Sequence, residues 1–246
     1  MKVPVFALDG SQKGEVSLGR AFSFPVRTDL IRRAFRAESL AKRQVYGTDP
    51  LAGKRTSAHY HGKRHYRWTM MNREMARMKR IHSQGFLNYT ARFVPQATKG
   101  RKAHPPKVTK TWKIKINKKE RMAAFLSCLS ATVHKDYVTF SKGLPLVVED
   151  QIQTIKKTKD MIALFKKLGI TPVVKRTIRA GKGTRRGRKY RTRRGPLIIS
   201  SKPLPTPPGM ETKSLREVGV IDLAPGGQPG RLCIWTRSAI EEANSL

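Results

Sequence analysis

Two stretches of this chain cannot build a hydrophobic core from their own residues, and they restrict what the rest can become. Residues 50–107 hold 14 lysines and arginines against a single acid, Glu74, with no sustained apolar period. Residues 175–194 hold 11 basic residues, no acid and three glycines. Segments of that kind bury too little apolar surface to offset the entropy of ordering them. The full chain of 246 residues has 52 Lys+Arg against 16 Asp+Glu, a formal net charge of +36. Self-repulsion on that scale disfavours compactness unless a polyanion neutralises it. Nucleic acid is the commonest such partner, because each phosphate met by a Lys or Arg releases condensed counterions. An anionic membrane surface is the alternative. No stretch approaches the roughly 18 to 20 apolar residues of a membrane span. The start Met1, Lys2, Val3, Pro4 also lacks the regions of a secretion signal, so a cytoplasmic protein is expected.

Between these stretches the pattern is that of a folded domain. Residues 3–8 and 15–18, separated by Asp9-Gly10 and Lys13-Gly14, predict an opening hairpin. Thr28 is placed to cap a helix over 29–45, where Leu30, Ile31, Ala34, Phe35 and Ala41 recur at helical spacing. Asn117 and Glu120 form a near relative of a capping box, opening a helix to about 134. Residues 144–148 predict a strand buried on both faces, and 154–168 an amphipathic helix. Further strands are expected at 170–174, 197–200, 218–223 and 232–236, with a closing helix from about Ser238. The alternation predicts an α/β fold: a mainly parallel sheet flanked by helices, an N-terminal hairpin, and a long basic loop inserted after the first helix. In domain terms, 1–45 and 111–246 are the globular part and 46–110 an extended RNA-directed loop. Residues 175–194 are a basic Gly/Arg-rich loop within the globular part.

The first basic stretch interleaves its cations with His59, Tyr60, His65, Tyr66, Trp68, Phe86, Tyr89 and Phe93. Arginines and rings together grasp phosphates and stack on unpaired bases. The candidate RNA-binding residues there are Lys54, Arg55, Lys63, Arg64, Arg67, Trp68, Arg73, Arg77, Arg80, Arg92, Gln96, Lys99, Gly100, Arg101, Lys102, His104 and Lys107. In the second stretch they are Lys182, Arg185, Arg186, Arg188, Lys189, Tyr190, Arg191, Arg193 and Arg194. Within the first, Thr69–His82 sorts on a helical wheel with Met71, Met75 and Met78 opposite Arg73, Arg77 and Arg80, so a basic amphipathic helix is expected. His59, His61 and His65 invite a metal reading, but further ligands would have to come from distant sequence, and none is expected.

Other constellations point away from chemistry. Gly181, Gly183 and Gly187 have GxGxxxG spacing ahead of a strand, which is neither a dinucleotide fingerprint nor a P-loop. Cys128 and Cys233 read as buried apolar residues, since two distant cysteines build neither a disulfide framework nor a zinc site. Glu149-Asp150 reads as a helix cap or N-terminal charge rather than an acid/base pair. No enzyme activity and no cofactor are expected. A chromatin protein is the competing binding class, disfavoured by the lack of helix-turn-helix, zinc-finger or basic-zipper patterns.

Three stretches, Val94–Lys107 (VPQATKGRKAHPPK), Lys182–Arg191 (KGTRRGRKYR) and Asp222–Leu232 (DLAPGGQPGRL), occur in the order found in one family. With them the chain resembles the universal large-subunit ribosomal protein number four in its archaeal and eukaryotic form. The resemblance implies a structural constituent of the large ribosomal subunit: an α/β domain on the subunit surface, with residues 46–110 threaded into ribosomal RNA. It implies a tip within 56–82 at a constriction of the nascent-peptide exit tunnel, with His59, His61, His65, Tyr66 and Met70 as tunnel-facing candidates. The implied partners are large-subunit rRNA, neighbouring ribosomal proteins including one whose loop faces it across the tunnel, and the nascent polypeptide. Neither a membrane nor a second copy of the chain is among them.

Overall fold

The computed structural model describes residues 1–138, 144–170, 177–179, 189–192 and 194–245. It divides into two compact units, one comprising Met1–Lys42 with Lys113–Leu246 and the other Arg43–Trp112.

The first unit opens with β1 (Lys2–Phe6) and β2 (Gln12–Ser17), an antiparallel hairpin whose turn carries Gly10 at φ 84°. Helix α1 (Thr28–Ala41) follows. Arg27 rather than Thr28 precedes its first turn, and the helix stops short of 45, with residues 42–47 exposed. Helix α2 (Lys118–Ala131) begins after Asn117, but the expected capping box does not form. Instead Glu120 turns to the Arg33 guanidinium on α1 at 3.0 Å. Strand β3 (Leu146–Val148) leads through a 3-10 turn (Asp150–Thr154) to α3 (Thr158–Lys167). A two-stranded antiparallel ribbon, β4 (Thr177–Arg179) and β5 (Tyr190–Thr192), precedes β6 (Leu197–Ser200) and β7 (Glu211–Ser214). The short α4 (Val220–Leu223), β8 (Cys233–Thr236) and α5 (Arg237–Asn244) complete the chain order.

The main sheet has six strands in the order β2-β1-β3-β8-β6-β7, with β2 antiparallel and every other pairing parallel. Its central strands are buried on both faces, as strands between two helical layers must be. The period of two divides their side chains: Val147, Leu197, Ile199, Cys233 and Trp235 join α1, α2 and α5 in one core. Leu146, Val148, Ile198 and Ile234 point the other way, onto Met161, Leu164 and Phe165 of α3 and onto Ile152. Cys128 and Cys233 lie unlinked in the first core, and burial pushes both thiols up to about 12.

One expectation needs correction. Residues 218–223 are not a strand: Val220–Leu223 forms α4, because Asp222 accepts the Gly219 amide at 3.2 Å and turns the chain while Val218, Val220 and Leu223 all sink into one core. The strand beside β6 is instead Glu211–Ser214, whose half-buried polar side chains (ETKS) carry no apolar signal because it is the sheet edge. The strand expected at 170–174 lies outside the described residues beyond Ile170, which is buried.

Candidate nucleic-acid interface

Residues 43–112 form a compact unit in which Ala58, Met70 and Ile81 are buried, although the sequence there has no sustained apolar period. Its outgoing and returning arms lie side by side. The Thr48 amide donates to the Pro106 carbonyl at 2.8 Å, and the rings of Tyr46 and Trp112 are 5.0 Å apart, with Arg43 over the latter at 4.9 Å. Glycines permit the closest approaches: a Cβ on Gly53 (φ 74°) would stand 2.6 Å from the Gly100 carbonyl oxygen, and one on Gly100 would stand 2.0 Å from that of Val94. Gly100 therefore has a backbone reason to be glycine inside the VPQATKGRKAHPPK stretch.

The expected helix over Thr69–His82 is absent, and turns and single bridges replace it. Asn72 and Ser83 sit at positive φ, and the Met70 amide is taken by the His61 carbonyl at 3.0 Å. Arg80 bridges His59 and Ala91 through its backbone, while its guanidinium donates to the carbonyls of Tyr89 at 2.7 Å and Ala76 at 3.1 Å. Local pattern favoured a helix, but these longer contacts satisfy the backbone another way. Met71, Met75 and Met78 therefore share no helix face opposite the arginines. Met70, expected to face the tunnel, is only 4% exposed and packs inside the unit with Ala58 and Ile81 among its buried residues.

Most of the other expected RNA-binding side chains are on the surface of this unit. Lys54, Arg55, Lys63, Arg64, Arg67, Arg73, Arg77, Gln96, Lys99, Lys102, His104 and Lys107 are exposed. Trp68, Arg92, Gly100 and Arg101 are half-buried, and Arg92 donates to the Thr98 carbonyl at 2.6 Å. Several cations already lie over rings: Arg67 over Trp68 at 5.0 Å, Arg73 over Tyr89 at 4.8 Å, and Lys79, which is not among the expected RNA-binding residues, over Phe93 at 4.1 Å. Phe86 is 94% exposed, an apolar ring presented to whatever lies outside. Among the described residues the one ion pair in this unit joins Arg55 to Asp49, so its other cations have no carboxylate partner there.

A histidine cluster was not legible in the sequence. His59, His61 and His82 converge, with ring centroids 4.1 Å (59–61), 4.2 Å (59–82) and 5.0 Å (61–82) apart. Burial, with the neighbouring charges of His59 and His82, pushes His61 down from the ordinary histidine value. His65 lies apart from this cluster, exposed at φ 59°, and Tyr66 packs on His61 at 4.5 Å.

The second basic stretch is described only at the base of its ribbon. Lys189, Tyr190 and Arg194 are exposed, and Arg191 is described as backbone in β5. Lys182, Arg185, Arg186, Arg188 and Arg193 lie outside the described residues. Arg231, from the DLAPGGQPGRL stretch, is buried and donates in three directions. Its acceptors are the Gly195 carbonyl at 2.8 Å, the Asp222 carbonyl at 2.7 Å and a Glu211 carboxylate oxygen at 2.8 Å. Arg194 closes onto the same Glu211 at 2.8 Å, and Lys213 onto Asp222 at 2.7 Å. Burial pushes both carboxyls up. The hydrogen bonds and charge of Arg231 and Arg194 on Glu211, and of Lys213 with the Gly219 amide on Asp222, outweigh it and hold both below their usual range. Arg194, expected from its sequence to meet RNA, also pairs with Glu211 on the sheet edge.

A mainly parallel sheet covered on both faces, with a cation-rich unit carrying several rings inserted after its first helix, defines an α/β protein with a basic insertion. Residues 16–245 match the ribosomal protein L4/L1 family. Large ribosomal subunit protein uL4 of Methanococcus aeolicus is 41% identical, with 99% of each chain covered. The proteins of the same name from Methanocaldococcus jannaschii and Nanoarchaeum equitans are each 41% identical, over 98% of this chain and 98% and 97% of theirs. The chain belongs to the ribosomal protein L4/L1 family. It is a ribosomal protein of archaeal type and not an enzyme.

Proposed function

We propose that this protein is a structural constituent of the large ribosomal subunit in the cytoplasmic ribosome, holding large-subunit rRNA chiefly through residues 43–112. Its near-full-length relatives are named for that subunit. The single observation that carries the RNA reading is the surface of residues 43–112, where exposed cations lie over rings and one carboxylate pair offsets them among the described residues. Such a surface is neutralised by phosphates and stacks on bases.

The backbone supports the same reading. His65, Asn72, Ser83, Tyr89, Phe93 and Lys99 all hold positive φ, and all fall in this unit. Each such conformation costs of order 1–3 kcal/mol and persists where surrounding structure over-determines it. The three buried residues Ala58, Met70 and Ile81 supply little of that, and ordered RNA supplies the remainder in this reading. The β4–β5 ribbon, with Tyr190 59% exposed, adds a second RNA contact. Within the unit, the stretch 56–82 is assigned to the wall of the nascent-peptide exit tunnel, with His59, His65 and Tyr66 as its exposed candidates. Neighbouring large-subunit proteins and the nascent chain are its further partners there.

The test is RNA binding measured against salt. Replacing Arg64, Arg67, Arg73 and Arg77 by Ala is expected to lower the log–log salt slope by about 3, at roughly 0.7 per lost phosphate contact on single strands. An unchanged slope with unchanged affinity would reject this surface as the RNA interface. Cross-linking in assembled subunits is expected to join residues 56–82 to a stalled nascent chain; their cross-linking only to surface-exposed proteins would exclude the tunnel assignment.

A further inference from the structure

We propose that His59, His61 and His82 form a binding site for one divalent transition-metal ion, with zinc the best match to an all-imidazole set. One ring nitrogen from each residue can be chosen so that all three lie within 4.8 Å of one another. A tetrahedral ion with bonds of 2.0–2.1 Å to nitrogen sets its ligand atoms about 3.3 Å apart, so side-chain rotation needs to draw them in by no more than roughly 1.5 Å.

The fold prepares each ligand differently. His59 Nδ1 lies 2.8 Å from the Ser57 carbonyl oxygen, a contact in which that nitrogen carries the proton and Nε2 keeps its lone pair. A ligand imidazole held through its second nitrogen by a carbonyl is the usual outer support of zinc-bound histidine. His61 Nε2 and His82 Nδ1 are buried polar atoms with no hydrogen-bond partner. Buried nitrogens left unpaired are unfavourable unless something between them takes their lone pairs.

The backbone explains how distant residues meet. His59 and Arg80 exchange hydrogen bonds of 3.2 and 3.3 Å, which brings His82 to the side of a His-X-His stretch more than twenty positions earlier. Tyr66 packs against His61 at 4.5 Å and Trp68 against His82 at 5.7 Å, closing one flank with rings. His59 is exposed, so the opposite side leaves room for a fourth, solvent-derived ligand. Three imidazoles and an open position is a zinc arrangement, whereas magnesium and calcium ask for oxygen ligands that this cluster does not contain. The ion would fix the His59–Arg80 bridge and the turn at 66–70 in one arrangement.

The experiment is a calorimetric titration of the full-length protein, freed of RNA and metal, with ZnCl2. One Zn2+ per chain is expected, and His59→Asn and His82→Asn are each expected to weaken binding at least tenfold, while His104→Asn leaves it unchanged. Co2+ in place of Zn2+ is expected to give the visible bands of tetrahedral coordination, lost in both cluster variants. His59→Asn removes an exposed ring and keeps the backbone bridge, so loss of binding there reports coordination even if His82→Asn disturbs packing. Absence of saturable Zn2+ binding by the wild type, or binding equally tight in both cluster variants, would overturn the site. This outcome is independent of the RNA salt slope, so either reading can fail alone.

Discussion

The Arg231 guanidinium is 3% exposed, and a charge so placed is tolerated only when every donor finds an acceptor. It joins Glu211 on β7 to the backbone at Gly195 and Asp222, so Arg231→Ala is expected to cost about 3–5 kcal/mol in urea unfolding. Arg231→Lys is expected to restore little, because an ammonium cannot reach three acceptors as a planar fork does. The same network has a pH signature. Glu211 and Asp222 titrate below the ordinary carboxylate range in the folded state. Their contribution is thus complete above the unfolded carboxylate values and is lost as pH falls through the depressed folded ones. Urea midpoints measured down a pH series are expected to fall on acidification, and Glu211→Gln with Asp222→Asn is expected to flatten that fall. In the other unit, Gly100→Ala puts a methyl group 2.0 Å from the Val94 carbonyl oxygen, so the turn at 94–100 must shift. The expected readout is weakened RNA affinity without loss of the cooperative unfolding of the α/β unit.

Helix ends separate local signal from tertiary choice. Asn117 and Glu120 had the chemistry of a capping pair, yet Glu120 takes Arg33 across the α1–α2 contact. Asp150 acts as a cap, but for a helix far along the chain. Its carboxylate accepts the Ser238 amide at 3.0 Å and the Ser238 hydroxyl at 2.6 Å, at the first turn of α5, where Thr236 also accepts the Ala239 amide. The cap or N-terminal charge expected of the Glu149-Asp150 pair is therefore partly right in kind, although the helix it serves could not be named from spacing. Asp150→Ala is expected to cost about 1 kcal/mol, in the range of a lost N-cap. Glu149→Ala, which removes an exposed pair with Lys13, is expected to stay within about 0.5 kcal/mol, both read from urea midpoints.

At the scale of the molecule, both hydrophobic cores draw their residues from the first unit alone, between Val3 and Phe35 and between Ile116 and Ala243. Replacing 44–111 by a short Gly/Ser linker is therefore expected to leave a single cooperative urea transition for the α/β unit; a broad, multi-step loss would show that the excised residues belong to its core. The sequence by itself determined what depends on neighbours in the chain or on composition. The hairpin, α1, α2 and α3 to within a few residues, the apolar strands β3, β6 and β8, and the concentration of charge all follow from periodicities of two or 3.6 and from counting ions. So did the family, through three long motifs. Tertiary structure alone decided which side chains meet across large separations. It made the polar ETKS segment an edge strand and VGVIDL a turn of helix. It also dissolved the expected Thr69–His82 helix into bridges and brought His82 to His59 and His61. The physical reason is common to all four. Propensity and pattern differ by tenths of a kcal/mol per residue, while one satisfied buried hydrogen bond or one packed ring is worth as much as several residues of pattern, and those partners are chosen by the fold.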